Sequence, residues 1–219
     1  MPSVDAILAF TVIVTLIVTS PGPNLFLLLR TTPSFGRYAG FANTLGFSAA
    51  ILSHALLSLI GVGAVITASA LAFSVLKIAG AVYLMWLGFK ALRSAWKGDS
   101  SVQANRASND QNCTATHGLG ARFVEGYLTN ILNPKPAFFY LAAFPQFIDI
   151  DGLPFIIQGM ALGAIHASIA ILWYSLIVFG IGTISQWMTR PAFWRLIQTI
   201  SGTALVALGA RLLSMRQAT

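Results

Sequence analysis

The sequence predicts an all-α polytopic membrane protein: about six transmembrane helices arranged as two inverted three-helix repeats, with the first helix of each half broken. Three observations carry this reading. Of the 219 residues, 56% are hydrophobic and only 9% charged, with mean hydropathy +0.77, whereas soluble domains carry about a quarter charged residues. The apolar residues gather into six long runs with basic residues between them. Two of the runs are interrupted by proline at matched positions, Pro21 and Pro23 lying 113 positions before Pro134 and Pro136. At the same offset Gly46 falls on Gly159.

The runs cover about 4–29, 38–65, 70–94, 120–147, 152–184 and 192–213, lengths that suit a bilayer core of about 30 Å. The first begins near Asp5 with no basic segment before it and is longer than a signal-peptide core, so it is expected to be a retained span. Pro21-Gly22-Pro23-Asn24 interrupts it. Each proline removes a backbone donor and disfavours helix at the preceding residue. The second run holds Asn43 and His54, and begins within a Gly36-x-x-x-Gly40 pair. In the third, Ile78-Ala79-Gly80 and Leu87-Gly88 resemble Ile200-Ser201-Gly202 and Leu208-Gly209 of the sixth, with one residue dropped. Three spans per half is an odd number, so a repeat must be inverted in the membrane. A polar linker, 95–119, joins a first repeat (1–94) to a second (120–219) within one membrane domain spanning 1–219; it is expected to be mobile. The fourth run contains Asn130-Ile131-Leu132-Asn133-Pro134-Lys135-Pro136. The fifth carries His166 and Gly159-x-x-x-Gly163, and its length implies tilt or extension beyond the bilayer. Small residues at this spacing let helices approach closely. Packing inside one chain is the preferred reading for both pairs, and a homodimer interface the alternative.

Orientation follows from the basic residues. With six spans, Arg30, Arg37, Lys90, Arg93, Lys97, Arg106, Arg122, Arg190 and Arg195 share one side, while Arg211, Arg216, Asp5, Asp149 and Asp151 fall on the other, with Lys77 a further candidate for it. The first side, with the 95–119 loop, is expected to be cytoplasmic, and both termini periplasmic. The +7 net charge is thereby a topology signal rather than a nucleic-acid footprint. Cys113 stands alone, which excludes an internal disulfide.

Matched breaks in two halves of a membrane chain point to a transport site. Asn133 before Pro134 has the form of an N-cap followed by proline at the first helical position, starting a half-helix inside the membrane. Pro23 and Asn24 start the other. Two helix N-termini meeting near the midplane carry partial positive charge, and Lys135 adds a full one. Such a site suits a carboxylate, as an amino acid presents. Lys135 has a second reading, in which it snorkels or pairs with a carbonyl at the end of a half-helix for structure alone. The candidate substrate-binding residues are therefore Pro21, Gly22, Pro23, Asn24, Asn43, Asn130, Asn133, Pro134 and Lys135. The amides among them could instead satisfy backbone groups freed by the breaks.

Glu125, His54 and His166 are candidate proton carriers. Against this, Glu125 lies three residues after Arg122 and can form a surface ion pair with it, and either histidine can serve packing. Three histidines and one cysteine lack metal-ligand spacing. There is no phosphate loop, so no metal, cofactor or ATP hydrolysis is expected. The partners expected are a small-molecule substrate, protons and lipid. A membrane-embedded enzyme and a channel or inorganic-ion exporter are the competing classes, and for an enzyme no nucleophile–base pair is visible.

At these residues the chain resembles the lysine exporter / homoserine–threonine resistance (LysE/RhtB) family of amino-acid efflux proteins. The resemblance rests on Pro21-Gly22-Pro23-Asn24, the series Gly36, Gly40 and Gly46, Asn130 with Asn133-Pro134-Lys135, and Phe138-Phe139 through Pro145-Gln146-Phe147. Pro136 departs from it, since the family more often has a small residue there. The resemblance implies a bacterial inner-membrane exporter of amino acids or derivatives, working as a proton antiporter. It does not fix the substrate. With Lys135 positive and little acid to match a cationic side chain, small neutral substrates such as threonine, homoserine or homoserine lactone are favoured.

Overall fold

The computed structural model describes residues 2–68, 70–97, 118–149, 152–188 and 191–214. These are helical along all six apolar runs, with no strand among the described residues. Most of the 95–119 linker, including Cys113, lies outside them.

Helix α1 (Val4–Thr19) is capped by Ser3, whose hydroxyl accepts the Ala6 N–H at 3.2 Å. It stops at Ser20, because the following Pro21 disfavours helix there. Helix α2 (Pro23–Phe35) restarts with proline at its first position, where the missing N–H has no intrahelical partner to lose. It ends at Gly36, whose φ of +86° is the left-handed conformation glycine takes without strain. The two helices meet at a 52° bend, and only together are they long and apolar enough to cross a membrane. Helices α3 (Arg37–Ala68) and α4 (Ala70–Lys97) complete the first half.

The second half begins with α5 (Leu119–Ile131) and, after Leu132 and Asn133, α6 (Pro134–Phe138). Helix α6 runs on as a π turn (Phe139–Ala143) and a 3-10 turn (Phe144–Phe147). Helices α7 (Phe155–Met188) and α8 (Pro191–Ser214) follow. Among the described residues, Arg37–Gly61 of α3 and Phe155–Ile181 of α7 each meet the length and apolarity of a span, and the bent α1–α2 pair makes a third.

The distribution of side chains is that of a membrane protein. Leu8, Val12, Leu57, Ile60, Leu172 and Phe179 are exposed on the outside, while Asn43, Thr44, Ser48, Asn130 and His166 are buried. Exposed apolar residues and buried polar ones are the informative departures from a soluble fold. Aromatic rings fill the interior: Phe10 of α1 packs on Phe139, Phe144 and Phe147, with centroids 5.3–6.0 Å apart, and Phe47 of α3 on Tyr174 of α7.

Glycines set the closest crossings. A Cβ at Gly46 would run into the Phe123 carbonyl, and one at Gly126 into that of Asn43, so α3 and α5 touch backbone to backbone. Helices α4 and α8 meet the same way at Gly88 and Gly202. Gly40 faces Thr32 and Val178, and Gly159 and Gly163 face Leu59 and Ala55. Gly40, Gly159 and Gly163 therefore have partners inside the chain, whereas Gly36 faces open space.

Candidate functional site

The two breaks face each other. Lys135, in the first turn of α6, reaches across to the C-terminus of α1. Its ammonium donates to Ser20 Oγ at 2.7 Å and to the carbonyls of Ser20, Pro21 and Ile17 at 3.0, 3.3 and 3.4 Å. These are the orphan carbonyls of a helix end, where the helix dipole is negative. The carbonyl pairing that the sequence left open for Lys135 is thus formed. Gly22 makes room for it, since a Cβ there would lie 3.0 Å from Lys135 Nζ.

Asn133 is the N-cap that Asn-Pro implied: its side chain accepts the Lys135 N–H at 3.0 Å, with Pro134 at the first helical position. Pro136 does not interrupt α6. It sits third in the helix, where its missing N–H is another that no intrahelical carbonyl would receive. The same arrangement leaves this helix start few free donors, because two of its first three residues are proline and the third is capped by Asn133. Positive charge here therefore comes from Lys135 more than from open N–H groups.

Across from Lys135, Asn24 Nδ2 donates to Asn130 Oδ1 at 2.9 Å, and Asn130 Nδ2 to the Phe47 carbonyl at 2.7 Å. Asn24 Oδ1 is buried without a hydrogen-bond partner. The Tyr174 hydroxyl, beside the Asn24 side chain, donates to the Val18 carbonyl at 3.4 Å. Gly22, Asn24, Asn130, Asn133, Lys135 and His166 line a cavity of about 20 Å³ between the breaks, room for about one water. Asn43 is not in its wall: it donates to the Arg122 carbonyl at 2.7 Å and holds the α3–α5 crossing.

Of the three proton-carrier candidates, Glu125 stands apart, while His54 and His166 both pack on the Tyr140 ring. Glu125 pairs with Arg30 and, at 2.8 Å, with Arg122, and the Arg122 guanidinium lies 3.9 Å from the centroid of Phe35. This cluster ties α2 to α5 away from the cavity. His54 contacts the Asn130 carbonyl at 3.3 Å, and His166 contacts the Tyr140 hydroxyl at 3.0 Å. A second cavity, of about 170 Å³, is lined by His54, Leu57, Ser58, Ala137, Tyr140 and Leu141.

The family model of the LysE type translocators matches residues 15–216, nearly the whole chain and both breaks. The chain is a LysE type translocator. It is similar to YrhP, an uncharacterized membrane protein of Bacillus subtilis, at 31% identity over 94% of this chain and 97% of that one. It is also similar to the homoserine/homoserine lactone efflux protein of Salmonella typhimurium, at 29% identity over 96% and 97% of the two chains. A third relative is the uncharacterized membrane protein PA4757 of Pseudomonas aeruginosa, 29% identical over 81% of this chain and 80% of its own. No solved structure matches the chain.

The family is one of translocators and not of enzymes, so the translocator's polar centre is to be read for binding and movement rather than bond making. Sequence reasoning missed Ser20 and Tyr174, which belong to this centre, and Tyr140, which lies outside the wall of the cavity at the breaks. Ser20, Tyr140 and Tyr174 belong to residue types common at caps and in membrane helices, and no spacing marked them. Tyr140 directly follows Phe138-Phe139 in the motif, the one signal that could have drawn notice to it.

Proposed function

We propose that this translocator exports amino acids or their derivatives across the bacterial inner membrane in exchange for protons, preferring small neutral substrates such as threonine, homoserine or homoserine lactone. The observation that carries the proposal is the pairing of a cation with an unpartnered acceptor across the facing breaks. Lys135 offers its ammonium to the substrate carboxylate, and Asn24 Oδ1, buried without a partner, offers an acceptor to the substrate amine. Asn130 and Asn133 hold the two sides in place, and Pro21, Gly22, Pro23 and Pro134 shape the breaks. Asn43 supports the site from the α3–α5 crossing. The relative named for homoserine and homoserine lactone efflux supports the substrate class.

A cavity of about 20 Å³ is too small for an amino acid, so loading requires the half-helices to separate. An ammonium has three N–H groups, and α1 already supplies four acceptors. The substrate carboxylate therefore takes the place of α1 oxygens as the site opens, which links binding to movement. His54 and His166 are the proton carriers we favour; Glu125, engaged by two arginines, is better suited to joining α2 to α5.

The contacts between residues 17–24 and 130–136, and the meeting of α4 with α8 at Gly88 and Gly202, support six spans as two inverted repeats, 1–94 and 120–219; the placing of the basic residues supports a cytoplasmic linker with both termini periplasmic. A homodimer draws no support from Gly40, Gly159 and Gly163, whose partners lie within the chain.

The test is efflux of labelled amino acids from loaded proteoliposomes, with and without an imposed pH gradient. Efflux of homoserine or threonine that a gradient accelerates and an uncoupler abolishes is expected. Indifference to both would end the antiport reading, and inorganic-ion flux without amino-acid flux would end the export reading.

A further inference from the structure

Tyr140 is 1% exposed and sits in the π turn that continues α6, an insertion often found at functional sites. Its ring lies nearly parallel to two histidines, 5.8 Å and 12° from His54 and 5.7 Å and 11° from His166. Ser58 donates to the Tyr140 carbonyl, which fixes the turn against α3. A buried tyrosine hydroxyl needs a hydrogen-bond partner, and any backbone carbonyl would serve. Here the partner is His166 Nδ1 at 3.0 Å, a group able to accept the proton itself.

The three rings form a wall between the two cavities. His166 fronts the small cavity at the breaks, and His54 and Tyr140 front the larger one. The larger cavity lies toward the far end of α3: His54 is eleven residues beyond Asn43, or roughly 17 Å along the helix axis, away from the Arg30–Glu125–Arg122 cluster. With that cluster cytoplasmic, the larger cavity is on the outer side.

We infer that Tyr140 relays protons from the outer cavity to His166, so that the wall of three rings is the proton path of the exporter; this rests on the antiport reading above. A proton reaching the outer cavity, carried by water or His54, bonds to Tyr140 Oη as Tyr140 gives its own proton to His166 Nδ1. His166 then releases the proton on Nε2 to the cavity at the breaks. One proton enters, one leaves, and no other bond changes. A turn of the imidazole about Cβ–Cγ then carries Nδ1–H to the cavity, where water takes that proton and returns one to Nε2, and turning back presents a bare Nδ1 to Tyr140 again. The other titratable groups facing His166 across its cavity are Lys135 and Tyr174, and His54 lies beyond it with its ring centroid 5.8 Å from that of Tyr140. A proton delivered by His166 onto a substrate carboxylate held by Lys135 neutralises it and loosens that hold, which ties proton arrival to release.

The test compares wild type with Tyr140→Phe, which keeps the stacked ring and removes the hydroxyl. Purified protein in proteoliposomes carrying an internal pH dye is assayed for gradient-driven homoserine efflux, for proton movement, and for exchange of labelled homoserine at equal pH. Tyr140→Phe is expected to keep exchange while gradient-driven efflux and proton movement fall by about tenfold or more. Driven efflux and proton movement at wild-type rates would overturn the relay, as would wild-type export that moves no protons. A second variant, with difluorotyrosine at position 140, keeps the fold and acidifies the hydroxyl, and decides the matter if Tyr140→Phe loses exchange as well. Its driven efflux is expected to shift along the pH axis while exchange does not, and an unmoved profile overturns the proposal. If wild type moves no amino acid at all, the export reading has failed. The dye then tests the relay alone: a proton conductance lost in Tyr140→Phe supports it, and equal traces, or none in wild type, overturn it.

Discussion

At the scale of single residues, Lys135 has two tasks that a substitution will expose together. Its ammonium holds Ser20 Oγ and three carbonyls at the end of α1. Lys135→Met leaves the Ser20 and Pro21 carbonyls without their donor, the Ile17 carbonyl keeping the Ser20 hydroxyl, so it is expected to lower stability by about 1–3 kcal/mol, read as a lower unfolding temperature in detergent, and to abolish export. Lys135→Arg is expected to recover part of the stability and little of the transport, because a planar fork fills the space differently. Equal affinity of wild type and the methionine variant for an amino acid would refute a carboxylate at Lys135. Asn24→Ala separates the other half of the site. It removes the unpartnered Oδ1, and is expected to weaken amino-acid binding by about tenfold, the worth of one such hydrogen bond. An N-acetylated substrate should bind the alanine variant and wild type alike. The sequence made Asn133 legible as a cap, because Asn-Pro has a local geometry. It made Lys135 legible only as a cation in need of partners. That those partners are carbonyls 114 to 118 residues away depends on how α1 and α6 meet, which no local rule supplies.

At the scale of elements, the apolar runs matched the helices closely because periodicity and length suffice where the solvent is lipid. The two breaks were legible for the same reason, since proline in an apolar run interrupts the helix ladder wherever it falls beyond the first turn. What was not legible is how α6 continues. Nothing in Phe139-Tyr140-Leu141-Ala142-Ala143 announces a π turn; it arises where ring packing on Phe10 and the Ser58 bond to the Tyr140 carbonyl reshape the helix. Pro136 offers a test of how α6 begins. At the third helical position its missing N–H takes nothing from the ladder, so Pro136→Ala is expected to change stability by no more than about 1 kcal/mol, the size of a chain-entropy effect. A large loss of thermal stability would mean that the residue holds the break by its ring. Gly126→Ala is the contrasting case. The added methyl meets the Asn43 carbonyl, which is backbone and cannot turn aside, so a loss of about 1–3 kcal/mol or more is expected, visible as poor yield of folded protein and a lowered melting temperature.

At the scale of the whole molecule, the direction of transport depends on which end faces the cytoplasm. Nine basic residues assigned to one side set the expectation, and contacts in the fold support their grouping. Arg30 and Arg122 meet at Glu125, and Arg195 at the start of α8 donates to the Ala95 carbonyl near the end of α4 at 3.0 Å. Basic loops are retained on the cytoplasmic side during insertion, so the segment between α4 and α5 is expected there. Cys113 lies in that segment and is the sole cysteine, which makes it a built-in reporter free of background. A membrane-impermeant maleimide is expected to label it in inside-out vesicles and to leave it unlabelled in intact spheroplasts. Labelling in spheroplasts would reverse the orientation, and with it the direction of the relay, because the cavity lined by His54 and Tyr140 would then face the cytoplasm. A fold that works by exchange would still stand, but its protons would have to enter past Arg30, Glu125 and Arg122. The same experiment on a Cys113→Ser chain with a single cysteine placed at Ser3 should give the opposite pattern. Both positions must answer together for the orientation to hold.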